Sequence, residues 1–123
     1  MISSAKLKHL GVSAQKTRLV VDQVRGKQVG EALSILRYSP RRVSKDVLKL
    51  VNSAVANAQQ SNPSVDVDRL FLSRAIVDDA PPLKRSRHVA MGRVFRVLKR
   101  SCHLTIGLDV PDAGADDSAK ERR

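Results

Sequence analysis

The feature that most constrains this chain is a stretch, residues 80–108, holding seven Lys and Arg side chains and no acid. Its first part, Ala80 to Val97, separates two segments of alternating polarity. The earlier segment runs from about Val67 to Asp79, with Leu70, Leu72 and Ile76 on one side against Phe71, Ser73, Ala75 and Val77 on the other. In the later one Cys102, Leu104, Ile106, Leu108 and Val110 alternate with Ser101, His103, Thr105 and Asp109. A period of two is that of a β-strand, and consecutive strands most simply pair as an antiparallel hairpin. The connection, about eighteen residues, far exceeds the usual hairpin loop, and structureless loops that long are uncommon. Pro81-Pro82 stiffens it while Lys84, Arg85, Arg87, Arg93 and Arg96 charge it. Residues of about 78–100 therefore read as an extended basic hairpin arm. Clustered like charge is costly unless a partner brings counter-charge. A basic ribbon has the shape to follow a phosphate backbone or enter a groove. A merely solvated loop is the alternative, and it leaves the repulsion uncompensated.

Upstream the period changes. Residues 5–12 alternate basic with apolar, a short strand with one charged face. Ser13 is positioned to cap a helix through its hydroxyl, and Gly26 to stop it. Within that helix Leu19, Val20 and Val24 share a face, with Val21 at its margin. Ala32, Leu33 and Leu36 give a short helix over Gly30–Arg37. Ser39-Pro40 reads as N-cap and first helical residue of a longer one. Its core face is Val43, Val47, Leu50, Val51, Ala54, Val55 and Ala58, and Ser61-Asn62-Pro63-Ser64 ends it. Small Ala54, Ala56 and Ala58 let another element approach closely.

A chain of 123 residues suits one compact domain, here 1–110. The remainder, 111–123, is acidic and poor in apolar residues, and is expected to be a disordered tail. Aromatic residues make up only 2%, so the core must come from Val, Leu, Ile and Ala, and such a thin core gains from a stabilising partner. The 23 basic side chains outnumber 12 acidic ones, giving +11 overall. Residues 1–30 hold six basic side chains against Asp22, and residues 31–79 are nearly balanced, seven against six. This balance points to a polyanion. No run approaches the ~20 apolar residues of a membrane span. Lys6, Lys8 and His9 interrupt any apolar leader, and the lone Cys102 fits a reducing compartment. A cytoplasmic nucleic-acid binder with no membrane contact is the expected class.

Catalysis finds no support. His9, His88 and His103 lack metal-ligand spacing, so no metal or cofactor is expected. His103, beside Arg100 on a polar strand face, reads as a solvent or phosphate contact. Cys102 falls in the apolar alternation and reads as buried. Asp78-Asp79 point to opposite faces of a strand, and read as a hairpin start or as ion-pair partners of the arm. No Walker loop, dinucleotide fingerprint or nucleophile elbow is present. The binding set is instead Lys84, Arg85, Arg87, His88, Arg93, Arg96, Lys99, Arg100 and His103 on and beside the arm. Lys6, Lys8, Lys16, Arg18, Arg25 and Lys27 form a second surface, or else ordinary solvated faces. Phe95 is the arm's sole aromatic, so recognition through shape and backbone of folded RNA is expected rather than base stacking. The other class with basic ribbon arms is the dimeric, DNA-bending architectural protein, for which Pro82 or Leu83 would be the wedge.

Several motifs, in order, resemble one family. Ser13-Ala14-Gln15-Lys16-Thr17-Arg18-Leu19-Val20 and Val24-Arg25-Gly26-Lys27 resemble the N-terminal signature of the large-subunit ribosomal protein twenty-two family. Glu31-Ala32-Leu33, Ser53–Ala58, Leu83-Lys84-Arg85, Ala90-Met91-Gly92-Arg93 and Lys99–Thr105 continue it over about residues 5–110. The resemblance implies an α+β fold, three helices packed on a three-stranded antiparallel sheet with a long protruding β-hairpin. It implies a monomer in the large subunit, bound to ribosomal RNA and neighbouring proteins and supporting assembly. The hairpin would line the exit tunnel beside the nascent polypeptide, with Leu83, Lys84 and Arg85 in its tip region and Ala90, Met91, Gly92 and Arg93 on the returning side. Ala14, Ala80, His88-Val89 and Cys102 depart from the family pattern, which leaves one phosphate contact fewer, at Val89.

Overall fold

Strand periodicity at the two ends of the chain and helix periodicity between them resolve into six main elements. They are β1 (Ser3–Leu10), α1 (Ala14–Val24), α2 (Val29–Tyr38), α3 (Val43–Ser61), β2 (Phe71–His88) and β3 (Val94–Asp109). The structure, a computed structural model, describes residues 1–111. The expected tail lies outside the described residues except for Pro111. The strands form one antiparallel sheet in the order β1-β3-β2, and the helices pack on it, an α+β arrangement. β3 is central because its alternation is unbroken: Cys102, Leu104, Ile106 and Leu108 are all fully buried. They meet Val20, Val21 and Val24 of α1, Ala32 and Leu36 of α2, and Val47, Val51, Ala54 and Ala58 of α3 in one apolar cluster. Buried Ala54 and Ala58 of α3 allow β1 to close in, whereas Ala56, expected with them, is exposed; Ser3 Oγ donates to the Ala54 carbonyl at 2.9 Å.

Several local expectations are corrected. Leu19 is half exposed, because α1 buries Ala14, Thr17, Val20, Val21 and Val24 instead. Thr17 is tolerated inside because its hydroxyl donates to the Ser13 carbonyl and lies 3.4 Å from Cys102 Sγ. Ser13 takes the cap position, yet its hydroxyl makes no capping bond. Gly26 does end α1, at φ +79, a left-handed conformation that glycine adopts without penalty. α3 starts at Val43, three residues after the Ser-Pro signal, since Ser39 and Pro40 are spent on the corner leaving α2. β1 lies two residues earlier than expected, and Val67–Arg69 forms a 3-10 turn instead of opening β2.

In β2 the inward set changes parity. Leu72 pairs with Leu108 and Arg74 with Gly107, so Ser73 is an inserted residue. Beyond it Ala75 and Val77 face the core, and Ile76, expected with Leu70 and Leu72, faces outward. A second insertion, Pro81-Pro82 opposite Arg100, lies between the pairs Ala80–Ser101 and Leu83–Lys99. There the sheet ends and a two-stranded ribbon continues.

Candidate nucleic-acid interface

From Leu83 to Arg100 every residue is exposed. The ladder nevertheless continues to His88–Val94, and Val89 N–H donates to the Arg93 carbonyl at 3.0 Å to close the turn. The expected connection is thus two paired strands, and its apex is Ala90-Met91-Gly92. Leu83, Lys84 and Arg85 stand on the outgoing strand short of the turn, opposite Lys99, Leu98 and Val97. Both Met91 (φ 65) and Gly92 (φ 69) are left-handed. That conformation is uncommon for methionine, and it presents Met91 with 94% of its surface open.

Residues directly opposite in an antiparallel ladder project to the same face, where like charges repel. One face of the ribbon carries the pairs Leu83–Lys99, Arg85–Val97 and Arg87–Phe95, the other Lys84–Leu98, Ser86–Arg96 and His88–Val94. Each pair sets no more than one Lys or Arg against a residue that is neither. The pairing therefore holds without acids and leaves both faces studded with cations. Among the described residues, none of the arm's Lys or Arg side chains has an ion-pair partner. Of the two readings of Asp78 and Asp79, hairpin start or ion-pair partners of the arm, the second is not met: they lie in the ladder opposite His103 and Cys102 and, among the described residues, pair with no arm cation.

At the arm's root the two predicted surfaces meet. Lys16, from the start of α1, lines one open cleft with Leu98, Lys99 and Arg100. Lys6 and Lys8 are exposed on β1. His103 is partly committed: its Nδ1 accepts the His9 backbone N–H at 3.1 Å, and the rings meet edge to face at 4.8 Å. This bond pins His9, whose φ of 58 marks the irregularity between Leu7 and Leu10.

Arg18, Arg25 and Lys27 are engaged differently. Arg25 donates through Nε (3.1 Å) and Nη2 (2.7 Å) to the Ala75 carbonyl, and its Nη1 reaches Asp22 at 2.7 Å. Arg18 Nη2 donates to the Val77 carbonyl at 3.0 Å. Lys27 pairs with Glu31 at 2.8 Å. Earlier along the same strand, the α1–α2 link bonds to β2 backbone: Gly26 N–H to Leu72, Leu72 N–H to Lys27, and Val29 N–H to Leu70, each at 3.0 Å. The outer edge of β2 is thereby covered up to Val77, which blocks strand addition there. These two arginines serve the fold first. Sequence reasoning missed Arg74, which joins them in a cleft on that edge. It also missed the cations of the α2–α3 corner, hidden by the overall balance of residues 31–79. Among the described residues no group of three or more His, Cys, Asp or Glu is arranged for a metal, and no helix is long and apolar enough to cross a membrane.

Residues 5–109 match the profile of the family described as ribosomal protein L22p/L17e. The chain is 50% identical over 109 residues to the large ribosomal subunit protein uL22 of Syntrophotalea carbinolica, covering 89% of this chain and 98% of that one. It is 44% identical to the uL22 protein of Anaeromyxobacter sp. (strain K), covering 89% of this chain and 75% of the relative. With the uL22 protein of Solibacter usitatus the identity is 43%, covering 89% and 96%.

Proposed function

The chain belongs to the ribosomal protein L22p/L17e family, and from that premise we propose that its arm and root bind large-subunit ribosomal RNA while the arm's apex lines the polypeptide exit tunnel. Membership makes it a structural constituent of the bacterial large ribosomal subunit, a cytoplasmic translation protein and not an enzyme.

The observation that carries the RNA reading is the state of the arm's charge: exposed, unpaired among the described residues, and set along a ribbon. Such cations displace the counterions of a phosphate backbone, the main source of affinity for nucleic acid. Arginines grip phosphate with two parallel donors and fix register without reading bases. Lys84, Arg85, Arg87, His88, Arg93, Arg96, Lys99 and Arg100 supply this contact, and Lys6, Lys8 and Lys16 extend it past the root. Arg18, Arg25, Lys27 and His103 contribute only with the donors that their internal bonds leave free.

The apex differs from the strands behind it. Val89, Ala90, Met91 and Gly92 carry no charge, and Met91 and Val89 are exposed. An uncharged turn at the end of a charged ribbon suits a wall beside a moving nascent chain better than a phosphate contact. By binding RNA at the body, the root and the arm, a single copy braces separate RNA segments and thereby supports assembly beside neighbouring ribosomal proteins.

Sedimentation of a tagged copy through a sucrose gradient tests the subunit assignment. Co-migration with large subunits that survives a high-salt wash is expected, and release by salt as a free dimer would overturn it. A photo-crosslinker at position 91 tests the tunnel reading: it is expected to capture a stalled nascent chain, and capture of RNA alone would refute that part.

A further inference from the structure

We infer that the corner between α2 and α3 is a second RNA site, at which Tyr38 stacks on an unpaired base and Arg37, Arg41 and Arg42 hold the flanking phosphates. Tyr38 is the chain's single tyrosine, and 84% of its surface is exposed at the last residue of α2. A large aromatic ring left in water gives up the burial that ordinarily stabilises it. Arg37, Arg41, Arg42 and Lys45 surround it in sequence, all exposed, and no acid lies between Glu31 and Asp46. None of the four is ion-paired among the described residues.

The corner is also built to hold its shape. Ser44, nearly fully buried, donates its hydroxyl to the carbonyls of Arg41 and Ser39. The backbone N–H groups of Ser44 and Lys45 donate to the Arg41 and Arg42 carbonyls at 3.2 and 3.3 Å. Residues 39–45 are therefore drawn into one tight turn that sets Arg41 and Arg42 beside the end of α2. Three of these cations stand at the start of α3, where the helix dipole disfavours positive charge. Folding alone gives no reason to gather them there, whereas a polyanion does. A solvated helix end accounts for any one of these residues singly but not for an exposed ring amid four unpaired cations.

Stacking on an aromatic ring is tolerant of base identity, because every base has a π-face, and it needs a base already out of a duplex. The corner thus selects a loop or bulge nucleotide, whereas the arm, with Phe95 as its sole aromatic, follows backbone. This inference rests on the RNA-binding reading above, and the experiment separates the two.

The chain has one tyrosine and no tryptophan, so tyrosine fluorescence reports on Tyr38 alone. The probe is protein-free large-subunit ribosomal RNA, added to the full chain, with binding followed separately by filter retention. Fluorescence lifetime, unlike intensity, is unaffected by light absorbed by the RNA. The expected result is a lifetime at least halved on binding, and an affinity about tenfold lower for Tyr38→Ala but unchanged for Tyr38→Phe. Arg37→Gln/Arg41→Gln/Arg42→Gln is expected to lower the salt slope of binding by about two to three. All the substituted side chains are exposed, and circular dichroism checks that each variant is folded. RNA bound with lifetime and affinities unchanged would overturn the corner site while leaving the arm's role intact. A lifetime that responds only to other large-subunit proteins would overturn it in favour of a protein contact. Failure of the unaltered chain to bind RNA would overturn both readings.

Discussion

The β2 edge of the body and the arm both carry cations but use them differently. In the body Arg18 and Arg25 bond to the carbonyls of Val77 and Ala75, Arg25 also pairs with Asp22, and Lys27 pairs with Glu31. Among the described residues, the one internal bond of an arm Lys or Arg side chain runs from Arg85 to the carbonyl of its neighbour Lys84. The edges differ in the same sense. β2 is covered by backbone and arginine up to Val77, while the ribbon beyond Leu83 is exposed throughout. Apolar residues follow suit. Leu83, Val89, Met91, Val94, Phe95, Val97 and Leu98 are exposed on the arm, while every Val and Leu described in the body except Leu19 is at least partly buried. Net charge counts cations, and geometry decides which are left free for a partner.

Melting of the free protein is the first way to break this comparison. The largest effect expected is for Val51→Asp, which buries an unpaired charge at a fully enclosed position of α3. The cost is about 4 kcal/mol or more against a total of about 5–15, so the cooperative transition should be lost. An unchanged melting curve would refute that helix face. Next come Arg18→Gln and Arg25→Gln together, which uncover the edge of β2 at a cost of about 2 kcal/mol, discounted because both side chains are exposed. An unaltered melting temperature would mean that these arginines are as free as those of the arm.

A matched pair of glycines sharpens the contrast. Gly26 and Gly92 are both left-handed, and neither would meet an obstacle on gaining a Cβ. Gly26→Ala, at the junction of α1 with β2, is expected to cost about 1 kcal/mol. Gly92→Ala strains the turn equally but should barely move the global transition, because the ribbon buries no core. Equal shifts would show that arm and body unfold as one unit. The smallest effect on melting, within about 2 °C, is expected for Lys84→Gln/Arg85→Gln/Arg87→Gln. Against protein-free large-subunit RNA, however, this variant should lower the salt slope of binding by about two to three, and an unchanged slope would count against the arm's RNA contact.

How much of this was legible in the sequence depended on whether a pattern stayed in phase. β3 keeps strict alternation from Cys102 to Leu108, and its buried set could be read directly. β2 inserts Ser73 and then Pro81-Pro82, and one added residue reverses every later side chain, which is why Ile76 was assigned to the wrong face. On α1 apolarity alone favours Leu19 over Thr17 for the core. The helix turns Thr17 inward because its hydroxyl finds Ser13 locally. The arm's existence and charge are legible from the acid-free run, whereas its ladder and turn are not. The fates of Arg18 and Arg25 lay beyond the sequence entirely, since their acceptors lie 50 residues or more away along the chain. The cations about Tyr38 are masked in the sequence by the six acids that share residues 31–79 with them.

The most direct test of free against committed charge is the salt dependence of binding to protein-free large-subunit RNA. It compares Arg87→Gln/Arg93→Gln/Arg96→Gln on the arm with Arg18→Gln/Arg25→Gln/Lys27→Gln on the body. The arm variant should lower the slope of log affinity against log salt by about two to three, and the body variant by less than about one. Equal losses of slope would contradict the account, because the body's bonded cations would then be meeting phosphate as freely as those of the arm.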